Sequence, residues 1–151
     1  MVETVITGVS AAASAVDILS KLVKSSKGTQ RSLLLELKGN ILLLKDYRVH
    51  HLPEDKIIEE LTSSQLAKVL ESNFDFKKLN RKSVSAGRTG DSFGKRFENW
   101  PTEKLFENMF LKIGELKRLN RIGFQSTGIR MSVRLQNLLK LMILTVLHLE
   151  G

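Results

Sequence analysis

Residues 2–23, VETVITGVSAAASAVDILSKLV, decide how the rest of the chain is read. Their apolar positions, Val2, Val5, Val9, Ala12, Val16, Leu19 and Val23, are separated by alternating steps of three and four. That is the seam of an α-helix, because a strand would repeat every second residue. Ser10, Ser14, Asp17, Lys21 and Lys24 recur at the same period on another face, so the helix is amphipathic. Its middle, Gly8 and Ala11 to Ala15, consists of small residues that let a neighbouring helix come close. Gly28 reads as the C-terminal cap that closes it.

The same period continues outward from this segment. Between Ser32 and His51, Leu34, Leu37, Ile41 and Leu44 form one stripe, and Leu35 and Leu42 a second. Two stripes place a helix between more than one neighbour. Gly39-Asn40 interrupts it. Leucine favours helix and β-branched residues are scarce, so a kinked helix is preferred over a two-residue turn between strands. Pro53 followed by Glu54 and Asp55 starts a third helical element, with Ile57, Ile58, Leu61, Leu66, Val69 and Leu70 on its buried face. Thr62-Ser63-Ser64-Gln65 resembles a capping box, which leaves two readings of that element, one helix or two short ones. Pro101-Thr102-Glu103 opens a fourth, carrying Leu105, Phe106, Met109, Phe110, Ile113 and Leu116 to an end near Gly123. A fifth, after Ser126-Thr127-Gly128, carries Met131, Leu135, Leu138, Met142, Val146 and Leu149. The periodicity fails from Asn73 to Asn99, where Gly87, Gly90 and Gly94 suggest a long mobile loop. The expected fold is therefore all-α: a bundle of about five helices with one Gly-rich loop at residues 73–99. The first, second, fourth and fifth helices should build the core, with the acidic third at the edge. Continuous apolar seams also allow a homodimer.

A chain of 151 residues suits a single domain, which could belong to a longer protein. Its 42% hydrophobic share can build a core, and zero cysteines remove disulfides, thiolate zinc sites, iron–sulfur clusters and a cysteine nucleophile. Met1-Val2-Glu3-Thr4 lacks the basic start of a signal peptide. The longest apolar run, Leu138 to Leu149, is short of a bilayer span and contains Lys140 and His148. A cytoplasmic location is the default expectation.

Catalytic motifs find little context. Gly90-Asp91-Ser92-Phe93-Gly94 matches the nucleophile elbow, but no strand precedes it and the only later histidine, His148, lies in an apolar helix. Gly94-Lys95 ends like a phosphate-binding loop, yet Thr89 stands where glycine is needed and Arg96 where magnesium needs Ser or Thr. His50 and His51 are neighbours that point ~100° apart on a helix, unsuited to one metal. No arginine stands five to seven residues before a histidine, the spacing a helical ribonuclease would use. No catalytic residue, metal or cofactor is assigned.

Charge is the informative feature. The net charge is +8, from 24 Lys and Arg against 16 Asp and Glu. Residues 51–72 carry a net −3, whereas residues 77–134 carry 14 bases and five acids, a net +9. Such a stretch attracts phosphates and releases their counterions. The candidate anion-binding residues are Arg81, Lys82, Arg88, Lys95, Arg96, Lys117, Arg118, Arg121, Arg130 and Arg134. Phe93, Phe97 and Trp100 lie among these charges, where an aromatic ring could stack on an exposed base. Nucleic acid leads the expected partners, beside an acidic protein, with an anionic membrane behind both.

The opening, Val2-Glu3-Thr4-Val5 with Gly8 to Ala13 and Val16-Asp17-Ile18-Leu19, resembles the first helix of HeLo-type cell-death bundle domains. The similarity spans residues 2–47 and lies in small and aliphatic residues. It implies a helical bundle fused to a sensor module, which can permeabilise membranes through its N-terminal helix. Two functions follow as expectations. The first is a non-enzymatic interaction module with a basic face over residues 77–134. The alternative is a cell-death or defence-type signalling bundle that self-associates or acts on membranes through its first helix.

Overall fold

The small residues of the opening segment act as its spacing predicts. In a computed structural model, which describes residues 8–85, 92–123 and 130–151, helix α1 spans Val9–Ser25. Ala12, Ala15, Leu19 and Val23 are its buried face. Val9 and Val16 lie further out, so the tightest contact is made by alanines rather than valines. This face packs on α2 (Gly28–His50) and on the last helix, α7 (Met131–Glu150). Gly28 does not close α1. Ser26 does, its hydroxyl and its N–H both donating to the Val23 carbonyl, at 2.9 and 3.1 Å. Gly28 instead opens α2 with φ +56°, a conformation that other residues adopt at a cost.

Helix α2 runs unbroken through Gly39-Asn40, and among the described residues no strand forms. Gly39 sits in the helix interior, exposed, and a Cβ built on it meets no neighbour within 4 Å. Gly39→Ala should therefore stabilise the protein by about 0.5–1 kcal/mol, since alanine loses less backbone freedom. A thermal melt reads this directly. An unchanged or lower Tm would show that the backbone at this point is not ordinary helix.

The third element is two helices, α3 (Glu54–Glu60) and α4 (Ser64–Glu71). The capping box expected between them is not formed, because Ser63 makes no side-chain cap bond. The cap comes from α2. Glu36 accepts from the N–H groups of Gln65 (3.0 Å) and Leu66 (2.9 Å), so its two carboxylate oxygens cover the open start of α4. One turn further along the same face, Asn40 is 3% exposed and grips the joint itself. Its Nδ2 donates to the Thr62 carbonyl at 2.8 Å, and the Thr62 N–H donates to its Oδ1 at 3.0 Å. The two short helices are built in rather than peripheral. Ile57, Ile58, Leu61, Leu66 and Val69 are all buried, and α3 and α4 each touch both α2 and α6 (Thr102–Ile122).

Helix α6 buries Leu105, Phe106, Met109, Ile113 and Leu116, and ends at Gly123, whose N–H returns to the Leu119 carbonyl at φ +92°. Helix α7 buries twelve of its twenty residues and packs against α1, α2 and α6. It is the most extensively buried of the long helices.

The stretch 73–99 is not the open loop its glycines suggest. Residues 86–91, with Gly87 and Gly90, lie outside the described residues. On either side of them the chain is packed. A 3-10 turn at Phe76–Lys78 places Phe76 5.6 Å from Phe106, centroid to centroid. Val84 is buried and exchanges backbone hydrogen bonds with Asn99 and Trp100. A one-turn helix, α5 (Ser92–Lys95), buries Phe93 and Gly94, and Phe97 follows into the core. The described residues thus contain seven α-helices rather than five, and their buried side chains join in one cluster.

Candidate anion-binding groove

The bases of the expected basic face do not share one surface. Lysines 112 and 117 are five residues apart on α6, which rotates them about 140° from one another. Lys117 turns towards α3, where its Nζ donates to the Ile58 and Glu59 carbonyls at 3.0 and 3.2 Å. It satisfies the last carbonyls of α3 and belongs to the architecture. Asn120, less than one turn on, donates to the Asp55 carbonyl at 3.3 Å. Lys112 turns the other way, towards α7.

There, α6 and α7 enclose a groove of about 470 Å³ lined by Lys112, Glu115, Leu116, Arg130, Val133, Arg134 and Asn137. Arg130 and Arg134 are one turn apart at the start of α7, and Arg134 pairs with Glu115 across the groove. Lys112 is half-buried, and its ammonium sits below the usual lysine range. Burial is the main cause, followed by repulsion from Arg96 and then Arg134. Arg96 follows α5, and its guanidinium lies 5.2 Å from the centre of the Phe93 ring; Lys140 approaches the same ring at 5.4 Å. Lys112, Arg130 and Arg134 therefore line the groove, Arg96 stands close enough to act on Lys112, and Lys140 shares the Phe93 ring with Arg96. The ion pairs among the described residues are Arg134–Glu115 and Lys56–Glu59.

Of the residues singled out from the sequence, the fold gathers Arg96, Arg130 and Arg134. Arg81, Lys82 and Lys95 are exposed, as are Arg118 and Arg121 further along α6, and Arg88 lies outside the described residues. Lys82 borders a separate depression beside His148. The proposed stacking of bases on Phe93 and Phe97 needs correction. These rings are 7% and 4% exposed and are spent in the core. Trp100 is half-buried, edge-on to Phe97 at 4.8 Å, with the Lys104 Nζ 4.3 Å from its centre. Ser92, of the apparent nucleophile elbow, starts a helix, and Gly90 and Asp91 are outside the described residues.

Lys112 and Lys140 were missed because each sits singly between apolar neighbours. Nothing in the local pattern tells which flank of its helix faces Arg96. His148 has a structural partner: Thr102 Oγ1 donates to the Asn80 carbonyl at 3.0 Å, and lies 2.8 Å from His148 Nε2. With its one proton given away, the hydroxyl accepts from the imidazole. Asn80 Nδ2 completes the link by donating to the His148 carbonyl at 2.7 Å. A further cavity, of about 430 Å³, lies where the end of α2 meets α3 and α7. Two of its polar groups satisfy each other, the Tyr47 hydroxyl donating to Glu54 at 2.6 Å. Burial first, and then Glu54, push that phenol well above its usual range.

Among the described residues no group of three His, Asp or Glu side chains is placed to hold a metal ion. None of their helices is long and apolar enough to cross a membrane. The seam of α1 is covered by α2 and α7, so the apolar face that resembles a membrane-active helix is used inside the bundle. Comparison with protein-family models, with curated proteins and with solved structures finds no match.

Proposed function

We propose that the chain is a non-enzymatic helical interaction module whose α6–α7 groove engages an anionic partner, nucleic acid foremost. The observation that carries this reading is Lys112. The fold holds a half-buried ammonium beside two guanidiniums, with burial and like charge both opposing its protonation. An anion seated in the groove would relieve Lys112 and the neighbouring Arg96, whereas Arg134 already has Glu115 as its partner. Phosphate oxygens suit the site, because Arg130 and Arg134 offer forked donors and Lys112 a point charge between the helices. The charge of +9 over residues 77–134 would draw a polyanion in from a distance.

Fluorescence anisotropy with mixed-sequence RNA and DNA across a salt series tests this. Affinity should fall steeply with salt, by ~0.7–0.9 log units per log unit of salt for each phosphate contacted. Replacing Lys112, Arg130 and Arg134 with alanine should flatten that slope by ~2–3, whereas replacing Lys21 and Lys24 on α1 should leave it unchanged. No binding at low salt removes nucleic acid and leaves an acidic protein as the partner to seek.

A further inference from the structure

Lys112 differs from the chain's other lysines in its surroundings. It lines a groove of about 470 Å³, and two arginines of that groove, Arg130 and Arg134, stand one turn apart on the facing helix. Arg96, just after α5, does not line the groove but lies close enough for its charge to act on Lys112. Among the described residues that line the groove, the one carboxylate, Glu115, pairs with Arg134. A nucleophile beside a built anion site is the arrangement that captures a small electrophile carrying a phosphate leaving group.

We propose that Lys112 is a preferential acylation site for acyl phosphates, and that its acylation releases the anionic partner. The first part stands on the groove alone; the second rests on the function proposed above. The arginines hold the phosphate while the free Lys112 amine attacks the acyl carbon. A C–N bond forms, the C–O bond to phosphate breaks, the phosphate leaves with the electron pair, and the amine gives its extra proton to solvent. No oxidant or further reactant is needed. Burial and the neighbouring cations favour the neutral amine, which is the reactive form. The product is a neutral amide, so the repulsion that Arg96 and Arg134 impose on the ammonium disappears, together with one of the charges that would hold a polyanion.

The full chain would be incubated with acetyl phosphate, and acetylation at each lysine followed in time by mass spectrometry. Lys112 should react at least about five-fold faster than Lys21 and Lys24, which are exposed on α1. Replacing Arg130 and Arg134 with glutamine should slow Lys112 and leave the α1 lysines unchanged. The preference should shrink with p-nitrophenyl acetate, which offers the same acyl group without a phosphate. Lys112 reacting no faster than Lys21 overturns the proposal, and an equal preference for both reagents overturns the role of the arginines. Anisotropy on the acetylated chain separates the two readings. Weakened nucleic-acid binding supports both. A leading Lys112 in a chain that binds no nucleic acid keeps the acylation site and removes the partner.

Discussion

Leu138→Asp is expected to abolish the folded state. Leu138 is 0% exposed in α7, the helix that packs against α1, α2 and α6. The substitution removes about 1.5–3 kcal/mol of apolar burial and places a carboxylate where burial costs several kcal/mol more. The sum rivals the whole stability of a small domain, about 5–15 kcal/mol. Circular dichroism should show lost helicity at room temperature and no cooperative melt. The same change at Ile113, fully buried on α6, should have a similar effect from the opposing side. A Tm within a few degrees of the parent protein for Leu138→Asp would refute the burial of α7.

Asn40→Leu should destabilise the protein while leaving the apolar core full. Leucine keeps the branched four-atom skeleton of the asparagine side chain and is a better helix former, so α2 itself would not suffer. What is lost is the pair of bonds to Thr62, leaving its N–H and its carbonyl without their partner. Thr62 is itself exposed, so water reaches these groups in part, and their loss should cost about 1–2 kcal/mol. At ~2–4 °C per kcal/mol for a chain of this size, Tm should fall by roughly 2–8 °C. Asn40→Asp keeps an acceptor for the Thr62 N–H but sets a buried carboxylate oxygen against the Thr62 carbonyl, so it should not restore the Tm lost in Asn40→Leu. An unchanged Tm for Asn40→Leu would mean that water replaces the side chain at this joint.

The long helices were legible because each repeats its apolar residues over several turns. The steps of three and four through Ala12, Leu19 and Val23, and the run from Leu105 to Leu116, are direct consequences of helical geometry. What escaped was short or non-local. Phe93 and Phe97 are one turn apart, too brief a pattern to separate from a glycine-rich loop, and they are buried only because other elements of the bundle receive them. The start of α4 appeared to be written locally in Thr62 to Gln65, yet its cap is Glu36, 29 residues earlier than Gln65. The groove was half legible. Arg130 and Arg134 share a helix face by spacing alone, but Lys112 joins them only because α6 lies against α7. Lys117 carries the same charge and the same helix, and its rotation gives it to α3 instead.

The dependence of α4 on Glu36 and Asn40 bears on the order in which the molecule can assemble. An eight-residue helix without a start signal of its own is too short to persist in water. α4 gains its first turn only when the face of α2 that carries Glu36 and Asn40 is already helical. α2 therefore acts as a template, and the segment from Glu54 to Glu71 is a dependent unit that condenses on it. A piece of chain beginning after His50 would keep the residues of α3 and α4 and lose the instruction for where α4 begins.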